Sequence, residues 1–279
     1  MSESAAYVLT NGDLRELADL DNGLETPVSL DLGISTSSVR MTDDRLTLPD
    51  GSSVARSDLA EFADKKGRIF AVRAGDIRAL EVVGEHFCKL APTVGAPTIE
   101  IDGIQMHRTK GIDPFEDARQ KADGTVRRGD VVLDTCGGLG YSAIWAAKLG
   151  ASGVVSVEVS PAVRELREQN PWSRALLDPS IVRVDGDVRE FIVTADDESF
   201  HSIIHDPPRF SLAGELYGGE FYAQLARVLR PRGRLFHYTG APQSRSGRRD
   251  LPREVTTRLR EVGLTVRQEP EKQGVSARK

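Results

Sequence analysis

The stretch 131–143, VVLDTCGGLGYSA, decides the fold predicted for this chain. Four β-prone residues end at Asp134, a glycine-rich turn follows, and an apolar periodic run then predicts a helix. A strand, a glycine turn and a helix in this order are typical of the ligand-binding edge of an open parallel sheet. Because glycine has no Cβ, its backbone can approach a ligand closely. We therefore expect a small polar ligand at Gly137, Gly138 and Gly140.

Length and composition limit the classes of protein that need to be considered. The chain has 279 residues, 39% of them hydrophobic, which suffices for one large domain and a smaller one. It lacks a run of about 18 apolar residues, and its N-terminus lacks the basic and apolar segments of a signal peptide. We expect a cytoplasmic protein without membrane contact. Cys88 and Cys136 have no CxxC spacing and no HxxxH pattern is present, so neither disulfides nor a metal site is predicted.

The net charge of −5 conceals an uneven distribution. Residues 1–110 carry 18 acidic and 12 basic side chains, whereas residues 227–279 carry 5 acidic and 14 basic ones. A basic C-terminal third is typical of proteins that bind nucleic acid, so RNA is a candidate partner. Arginines on the solvated faces of helices explain the same pattern equally well.

The spacing of turns predicts two modules. Residues 1–110 contain short alternating strands separated by turns, which predicts a small β-rich α+β module. In residues 111–279 strands alternate with helices, which predicts a parallel α/β sheet, and a final hairpin predicts an antiparallel edge. A helix is predicted from Pro114 to about Ala122, with Asp113 as its cap.

Acidic residues end the two strands that follow the glycine turn. Glu158 comes eighteen residues after Gly140, where a carboxylate can accept hydrogen bonds from both ribose hydroxyls of an adenosyl ligand. Asp187, after the third strand, is placed to accept a hydrogen bond from an adenine amino group. The spacing GGLG is neither GxGxxG nor a Walker pattern, which disfavours tight binding of pyrophosphate. The predicted cofactor pocket comprises Asp134, Cys136, Gly137, Gly138, Gly140, Glu158, Asp185 and Asp187.

Five motifs together resemble the class I S-adenosylmethionine-dependent methyltransferases over about residues 113–279. They are DTCGGLG at 134–140, Glu158, the GD pair at 186–187, DPP at 206–208 and RVLRPRGRLFHY at 227–238. The stretch 205–240 is closer still to a family of archaeal-type methyltransferases. The resemblance implies S-adenosylmethionine as cofactor and a Rossmann-like seven-stranded sheet in the order 3-2-1-4-5-7-6. It also implies Asp134 and the glycines around the methionine moiety, Glu158 on the ribose and Asp187 at the adenine edge.

The stretch 205–210, HDPPRF, is the predicted reacting end. Two consecutive prolines fix the backbone, so carbonyl groups there can face a substrate nitrogen. In methyltransferases that act on planar amino groups, an aromatic residue that stacks on the base follows a similar motif. Here Arg209 takes that place and Phe210 comes next. Because DPPR also occurs among enzymes that methylate RNA carbons, the acceptor atom stays open, and prolines that merely end a strand are the alternative.

His205 and His237 stand at two predicted strand ends, and His205 has two interpretations. His205 is a candidate general base because imidazole titrates near neutral pH, but strand alternation places it with Ile203, where a core histidine is equally expected. The predicted catalytic residues are Asp206, Pro207, Pro208 and His205. The predicted substrate-binding residues are Arg209, Phe210, His237 and Tyr238.

Three functions remain open. The first is methyl transfer from S-adenosylmethionine, with RNA favoured as the acceptor. The second is aminopropyl transfer of the spermidine synthase type, since those enzymes share the fold and a similar run of DP, EFY and RVL-P-G. Against it, DTCGGLG lacks the aspartate that follows their glycines, and a basic C-terminus suits a polyamine poorly. The third is a non-catalytic subunit that kept the fold and binds nucleic acid or protein.

Overall fold

A computed structural model describes residues 6–240 and 250–279. The chain divides into two compact units, Met1–Pro114 with Ala162–Arg174, and Phe115–Pro161 with Ala175–Lys279. The sequence predicted a division at residue 110. It did not predict that Ala162–Arg174 belongs to the first unit.

The first unit consists mainly of short antiparallel strands. Its elements are β1 Tyr7–Thr10, α1 Asn11–Ala18, β2 Glu25–Val28, β3 Ser37–Thr42, β4 Arg45–Thr47, β5 Ser53–Ala55, α2 Arg56–Ala63, β6 Ile69–Arg73, β7 Asp76–Ala79, β8 Glu81–Val83, β9 Phe87–Ala91, β10 Thr98–Ile101 and β11 Ile104–Gln105. They form three small sheets, in the orders β1-β6-β7, β2-β3-β4-β5 and β11-β10-β9-β8. Helix α1 starts where it does because Thr10 and Asp13 cap it reciprocally.

Helices and strands alternate from Pro114 onward. The elements are α3 Pro114–Ala122, β12 Val131–Asp134, α4 Tyr141–Lys148, β13 Gly153–Glu158, α5 Pro161–Gln169, β14 Ile181–Asp185, α6 Val188–Thr194, β15 Phe200–His205, α7 Gly219–Val228, β16 Leu229–Tyr238, α8 Leu251–Glu261, β17 Thr265–Glu269 and β18 Gly274–Arg278. The described residues also form three 3-10 helices, Pro171–Leu177, Gly214–Tyr217 and Pro270–Lys272. Helix α3 has the predicted bounds, whereas α6 was not predicted.

The second unit contains one seven-stranded mixed sheet in the order β14-β13-β12-β15-β16-β18-β17. Numbered along the chain, this is 3-2-1-4-5-7-6. The first five strands are parallel, and β18 runs antiparallel to both β16 and β17. Five parallel strands bring their carboxyl ends to one edge of the sheet, with β12 in the middle.

The register of the strands fixes which residues meet at that edge. Asp134 at the end of β12 pairs with Ile204 on β15, and Glu158 at the end of β13 pairs with Asp185 on β14. His205 pairs with His237 on β16. Apolar side chains fill the space beneath the edge. The largest core cluster includes Leu133, Val157, Ile203, Tyr217, Phe221, Tyr222, Leu225, Leu235, Val255 and Leu259.

Candidate functional site

The glycine turn after β12 is tightly packed against its neighbours. A Cβ on Gly137 would lie 2.5 Å from Ser156 Oγ, and one on Gly140 would lie 2.1 Å from Leu176 Cδ1. Gly140 also has φ +85°, where L-residues are strained. Around Gly138, by contrast, the nearest atom is 4.0 Å away. Protein packing therefore explains the glycines at 137 and 140, and Gly138 alone leaves open space beside its backbone.

Asp134 and Glu158 are held in place at the first two strand ends. Asp134 is fully buried, and its Oδ2 accepts a hydrogen bond of 2.8 Å from Ser156 Oγ. The carboxylate of Glu158 accepts from the backbone N–H of Gly138 at 2.7 Å and of Ser160 at 2.9 Å. The two backbone amides fix the orientation of the Glu158 carboxylate at the end of β13. A carboxylate held in this position suits a ligand with two adjacent hydroxyl groups, because its oxygens accept hydrogen bonds.

Cys136 lies in the glycine turn, two residues after Asp134. Burial raises the pKa of its thiol well above the ordinary value, and the negative charges of Glu158, Asp134 and Asp206 raise that pKa further. The thiol is therefore protonated and a poor nucleophile at neutral pH.

Asp187 does not have the expected free carboxylate. It is the N-cap of α6, and its Oδ1 accepts from the backbone N–H of Arg189 at 2.8 Å. The Arg189 side chain also donates to both carboxylate oxygens, the shortest contact being 2.5 Å. This arrangement does not support the predicted role of Asp187 as acceptor for an adenine amino group. Asp185 is exposed at the end of β14.

Asp206 makes a buried ion pair that the sequence did not reveal. Its Oδ2 lies 2.6 Å from the ammonium of Lys121 on α3, which in turn lies 2.8 Å from Asp117 Oδ2. The one available signal was helical spacing: Asp117 and Lys121 stand four residues apart on the face that also carries the buried Ala118 and Ala122. A charged pair on an apolar helix face is expected to have a buried partner.

His205 is placed as a core residue, so its predicted role as general base is not supported. Its Nε2 donates to the carbonyl of Leu216 at 3.1 Å, and its Nδ1 accepts from the hydroxyl of Thr135 at 2.7 Å. Both ring nitrogens are thus engaged by the protein, and the ring is fully buried. Burial lowers the pKa of His205 to about 3, so the imidazole is neutral at physiological pH.

His237 is likewise buried, which gives no support to its predicted place in an acceptor pocket. Its Nδ1 donates to the carbonyl of Tyr238 at 2.7 Å, so its Nε2 accepts from the hydroxyl of Tyr222, also at 2.7 Å. Its ring centroid is 4.3 Å from that of His205, and burial holds its pKa well below the ordinary value. Tyr238 remains near the site, with its ring 4.2 Å from the Lys121 ammonium.

The residues after Asp206 are only partly available. The carbonyl of Pro208 accepts a hydrogen bond of 2.9 Å from the hydroxyl of Tyr217. The ring of Phe210 packs edge-on against Tyr217 with centroids 5.4 Å apart, so part of it belongs to the core. Pro207 is buried, whereas Arg209 is exposed. Of the two predicted acceptor contacts in this stretch, Arg209 is the more accessible.

Much of the basic C-terminal third is used in internal contacts. Arg234 binds Asp130 at 2.6 Å, and Arg258 donates to the carbonyl of Tyr217 at 2.7 Å. The basic residues with such contacts are Arg227, Arg230, Arg234, Arg258, Arg260, Arg267, Lys272 and Lys279. Arg232, Arg253 and Arg278 are exposed. Arg245, Arg248 and Arg249 lie outside the described residues.

Residues 6–240 and 250–279 contain neither a metal-binding cluster nor a membrane-spanning helix. No group of three or more His, Cys, Asp or Glu side chains there is arranged to hold a metal ion. In the same ranges, no helix combines the length and the apolar character needed to cross a membrane.

Comparisons with known proteins find a relative in sequence and solved structures with a similar fold. An uncharacterized protein of Methanocaldococcus jannaschii, MJ1233, is 44% identical over 231 residues, which are 82% of this chain and 79% of the relative. No protein-family model matches the chain.

Two solved spermidine synthase structures share its fold, both at 18% sequence identity. The first, in complex with the transition state analogue AdoDATO, has a TM-score of 0.58 over 73% of this chain and 76% of that one. The second, from Thermotoga maritima, has a TM-score of 0.56 over 71% and 70%. At such identity the likeness shows the Rossmann-like α/β fold alone.

Proposed function

We propose that this chain, which belongs to the same family as the archaeal protein MJ1233, is an S-adenosylmethionine-dependent methyltransferase. A glycine turn with flanking carboxylates follows β12, the central strand of its sheet. The observation that carries the proposal is the Glu158 carboxylate, fixed by the amides of Gly138 and Ser160. It can bind the two ribose hydroxyls of an adenosyl ligand while holding the turn in shape.

Different residues of this edge would contact different parts of the cofactor. S-adenosylmethionine, when bound, supplies a methyl group on a positively charged sulfur. Glu158 would hold the ribose, and Gly138 would leave room for the ligand beside the backbone. Asp134 and Asp206 supply negative charge near Cys136, which would favour a cationic group there. The neutral, buried His205 supports the strand end and takes no part in proton transfer.

Isothermal titration calorimetry with S-adenosylmethionine and S-adenosylhomocysteine tests the proposal. Both ligands are expected to bind with one site per chain, because both carry the adenosyl group. The Glu158→Ala variant should bind each of them at least about tenfold more weakly, since two charge-assisted hydrogen bonds are lost. If neither ligand binds the wild-type protein, methyl transfer is wrong and a non-catalytic binding subunit is the better interpretation.

RNA remains the proposed acceptor, but fewer basic residues support it than the charge of residues 227–279 suggested. Arg230, Arg232 and Arg278 lie at the amino end of β16, at the edge of the sheet opposite to Asp206. Support for RNA therefore rests on Arg209, which is exposed and close in sequence to Asp206.

Filter binding to bulk tRNA and rRNA at several salt concentrations tests the acceptor. A backbone contact makes binding salt-dependent, and Arg209→Ala should weaken it while Arg232→Ala, at the opposite edge, should not. Undetectable or salt-insensitive binding would rule RNA out.

Aminopropyl transfer is the second candidate, favoured by one observation. Asp134, Glu158 and Asp206 make the edge acidic, as a site for a polyamine requires. The absence of an acidic residue directly after the glycines of DTCGGLG speaks against it. An assay of putrescine with decarboxylated S-adenosylmethionine separates the candidates, because formation of spermidine would establish this activity and exclude the first proposal.

A further inference from the structure

Strand β14, Ile181–Asp185, forms one edge of the seven-stranded sheet, and within residues 6–240 and 250–279 no strand pairs with its outer side. Its main chain binds β13 at both ends. The carbonyl of Ser180 accepts a hydrogen bond of 2.8 Å from β13, and the N–H of Gly186 donates one of 3.1 Å to it. A β-ladder uses every second residue toward a given neighbour, so Val182 and Val184 also direct their main-chain groups to β13. The residues between them direct theirs to the outer side.

Arg183 and Asp185 are the residues whose N–H and C=O groups face the outer side of β14. Both residues are exposed. Ile181 has the same orientation, but its N–H bonds to the carbonyl of Asp178 at 2.9 Å. A row of main-chain groups at a sheet edge is a template for pairing with a further strand. Residues 183–185 are therefore the part of β14 to which a strand can be added.

Apolar side chains are exposed beside this part of the main chain. Val182 is 57% exposed, and Leu177, four residues before β14, is 73% exposed. At the opposite edge of the sheet, β17 is fully described and exposes no large apolar side chain. Apolar surface next to main-chain groups at an edge is what an added strand covers. Of the two edges of this sheet, β14 is therefore the one suited to a partner.

The charges of β14 favour a second copy of the same strand as that partner. Two copies related by a two-fold axis pair antiparallel, and residues that face outward must then lie opposite each other. Placing Arg183 opposite Arg183, or Asp185 opposite Asp185, sets like charges against each other, which destabilises a strand pair. Placing Arg183 opposite Asp185 sets opposite charges together at two positions, because the symmetry repeats the pair. The charge pattern of β14 is therefore complementary to itself in one register.

The uncharged positions fit the same register. Val184 lies on the axis and faces its own copy. Val182 faces Gly186, where a Cβ would have no atom within 4 Å, so the exposed valine side chain meets open space. Ile181, whose N–H is already bonded, is not required for any of the new hydrogen bonds.

We propose that this protein forms a two-fold symmetric dimer in which the β14 strands of two copies pair antiparallel, with Arg183 opposite the partner's Asp185. The two sheets then form one continuous sheet. The dimer needs no ligand and is independent of the methyltransferase activity proposed above. Because Glu158 is aligned with Asp185 in the sheet, the interface reaches the strand ends that carry the candidate cofactor site.

Sedimentation-velocity ultracentrifugation of the full chain, from about 5 to about 500 μM, tests for the dimer. The wild-type protein should change from monomer to dimer over this range. Arg183→Asp and Asp185→Arg each set like charges opposite each other at two positions, so each should raise the dissociation constant at least about tenfold. Arg267→Asp, at an exposed position of the opposite edge strand, is the matched control and should dimerise like wild type.

An equimolar mixture of Arg183→Asp and Asp185→Arg gives the most specific result. In a heterodimer of these variants opposite charges again face each other at both positions. The mixture should therefore dimerise with close to wild-type affinity, although neither variant does so alone. Recovery in the mixture also shows that both variants are folded.

Two cysteine variants test the register. In Val184→Cys the new thiols face each other with Cα atoms about 4.5 Å apart, which a disulfide can bridge. In Val182→Cys they are offset by four residues, about 13 Å along the strands, which a disulfide cannot bridge. Mild oxidation should cross-link Val184→Cys, whereas Val182→Cys and the wild type, with Cys88 and Cys136, should stay uncross-linked on a nonreducing gel.

Three results would each overturn the inference. The first is a wild-type protein that stays monomeric up to about 500 μM. The second is a dimer that Arg183→Asp leaves intact or that Arg267→Asp dissociates. The third is a cross-link in Val182→Cys in place of Val184→Cys, which requires a different register. Failure of S-adenosylmethionine to bind would overturn the proposed activity and leave all three measurements of the dimer unaffected.

Discussion

Lys121 and Asp206, which are 85 positions apart in the chain, form a 2.6 Å ion pair that ties the last turn of α3 to the end of β15. Asp117 binds the same ammonium from one helical turn earlier. Replacing one member of a buried ion pair leaves an uncompensated charge, which typically costs about 3–5 kcal/mol. The DPP motif is therefore part of a charge cluster that spans two elements, and variants of Asp206 need a stability control.

Glu158→Gln should disrupt both the glycine turn and the binding of the adenosyl group. The new amide N–H₂ would face a backbone N–H of Gly138 or Ser160, where two donors cannot pair. We expect the affinity for S-adenosylmethionine to fall at least about tenfold in calorimetry. Glu190→Gln, the same chemical change at an exposed position of α6, is the matched control and should keep the wild-type affinity. Equal affinities for Glu158→Gln and wild type would remove the main support for an adenosyl site.

Gly140→Ala should destabilise the fold. The new Cβ would collide with Leu176 at 2.1 Å, and φ +85° is unfavourable for alanine. Overpacking and backbone strain together predict a loss of at least about 2 kcal/mol in the free energy of unfolding. Gly153→Ala, where no atom lies within 4 Å, is the control and should change stability by less than about 0.5 kcal/mol. Urea unfolding measures both, and similar values for the two variants would contradict the packing described for the turn.

Stability should fall in acid because two buried histidines must take up protons on unfolding. Burial lowers the pKa of His205 to about 3 and holds that of His237 far below its ordinary value of 6.5. The unfolded chain therefore binds more protons than the folded one between pH 6.5 and about pH 3, so stability is lost as the pH falls through this window. Each histidine contributes a slope of up to about 1.4 kcal/mol per pH unit. Urea unfolding at pH 7.5, 6.0 and 5.0 measures the slope, which His237→Gln should reduce by about half. A free energy of unfolding that does not change from pH 7.5 to pH 5.0 would show that these rings are not held neutral.

Asp187→Ala should affect stability more than cofactor binding. The carboxylate caps α6 and pairs with Arg189, so its removal should cost about 1 kcal/mol. Since both oxygens already accept hydrogen bonds from Arg189, the affinity for S-adenosylmethionine should change less than about threefold. Thermal unfolding and calorimetry on the same preparation separate the two effects. A tenfold loss of affinity with unchanged stability would restore the adenine contact that the sequence predicts.

The sequence by itself determined the elements and their order in the second unit. Helix α3 has its predicted bounds, because Pro114 starts a helix without needing its own N–H. The alternation of strands and helices was visible in the spacing of apolar residues, and right-handed connections leave few topologies for such a chain. The position of Glu158 at a strand end followed in the same way. These features are local, so short windows of sequence contain the information for them.

Only the tertiary structure decided which side chains meet and which are buried. His205 looked equally suited to catalysis and to the core, and the hydrogen bonds from Thr135 and to Leu216 favour the core. The pairing of Lys121 with Asp206 depends on how α3 closes against the sheet, which periodicity does not encode. The C-terminal arginines counted as a basic region until internal carbonyl and carboxylate groups were seen to bind several of them. Charge and hydrogen bonding depend on distances of a few ångströms, and those distances exist only once the chain has folded.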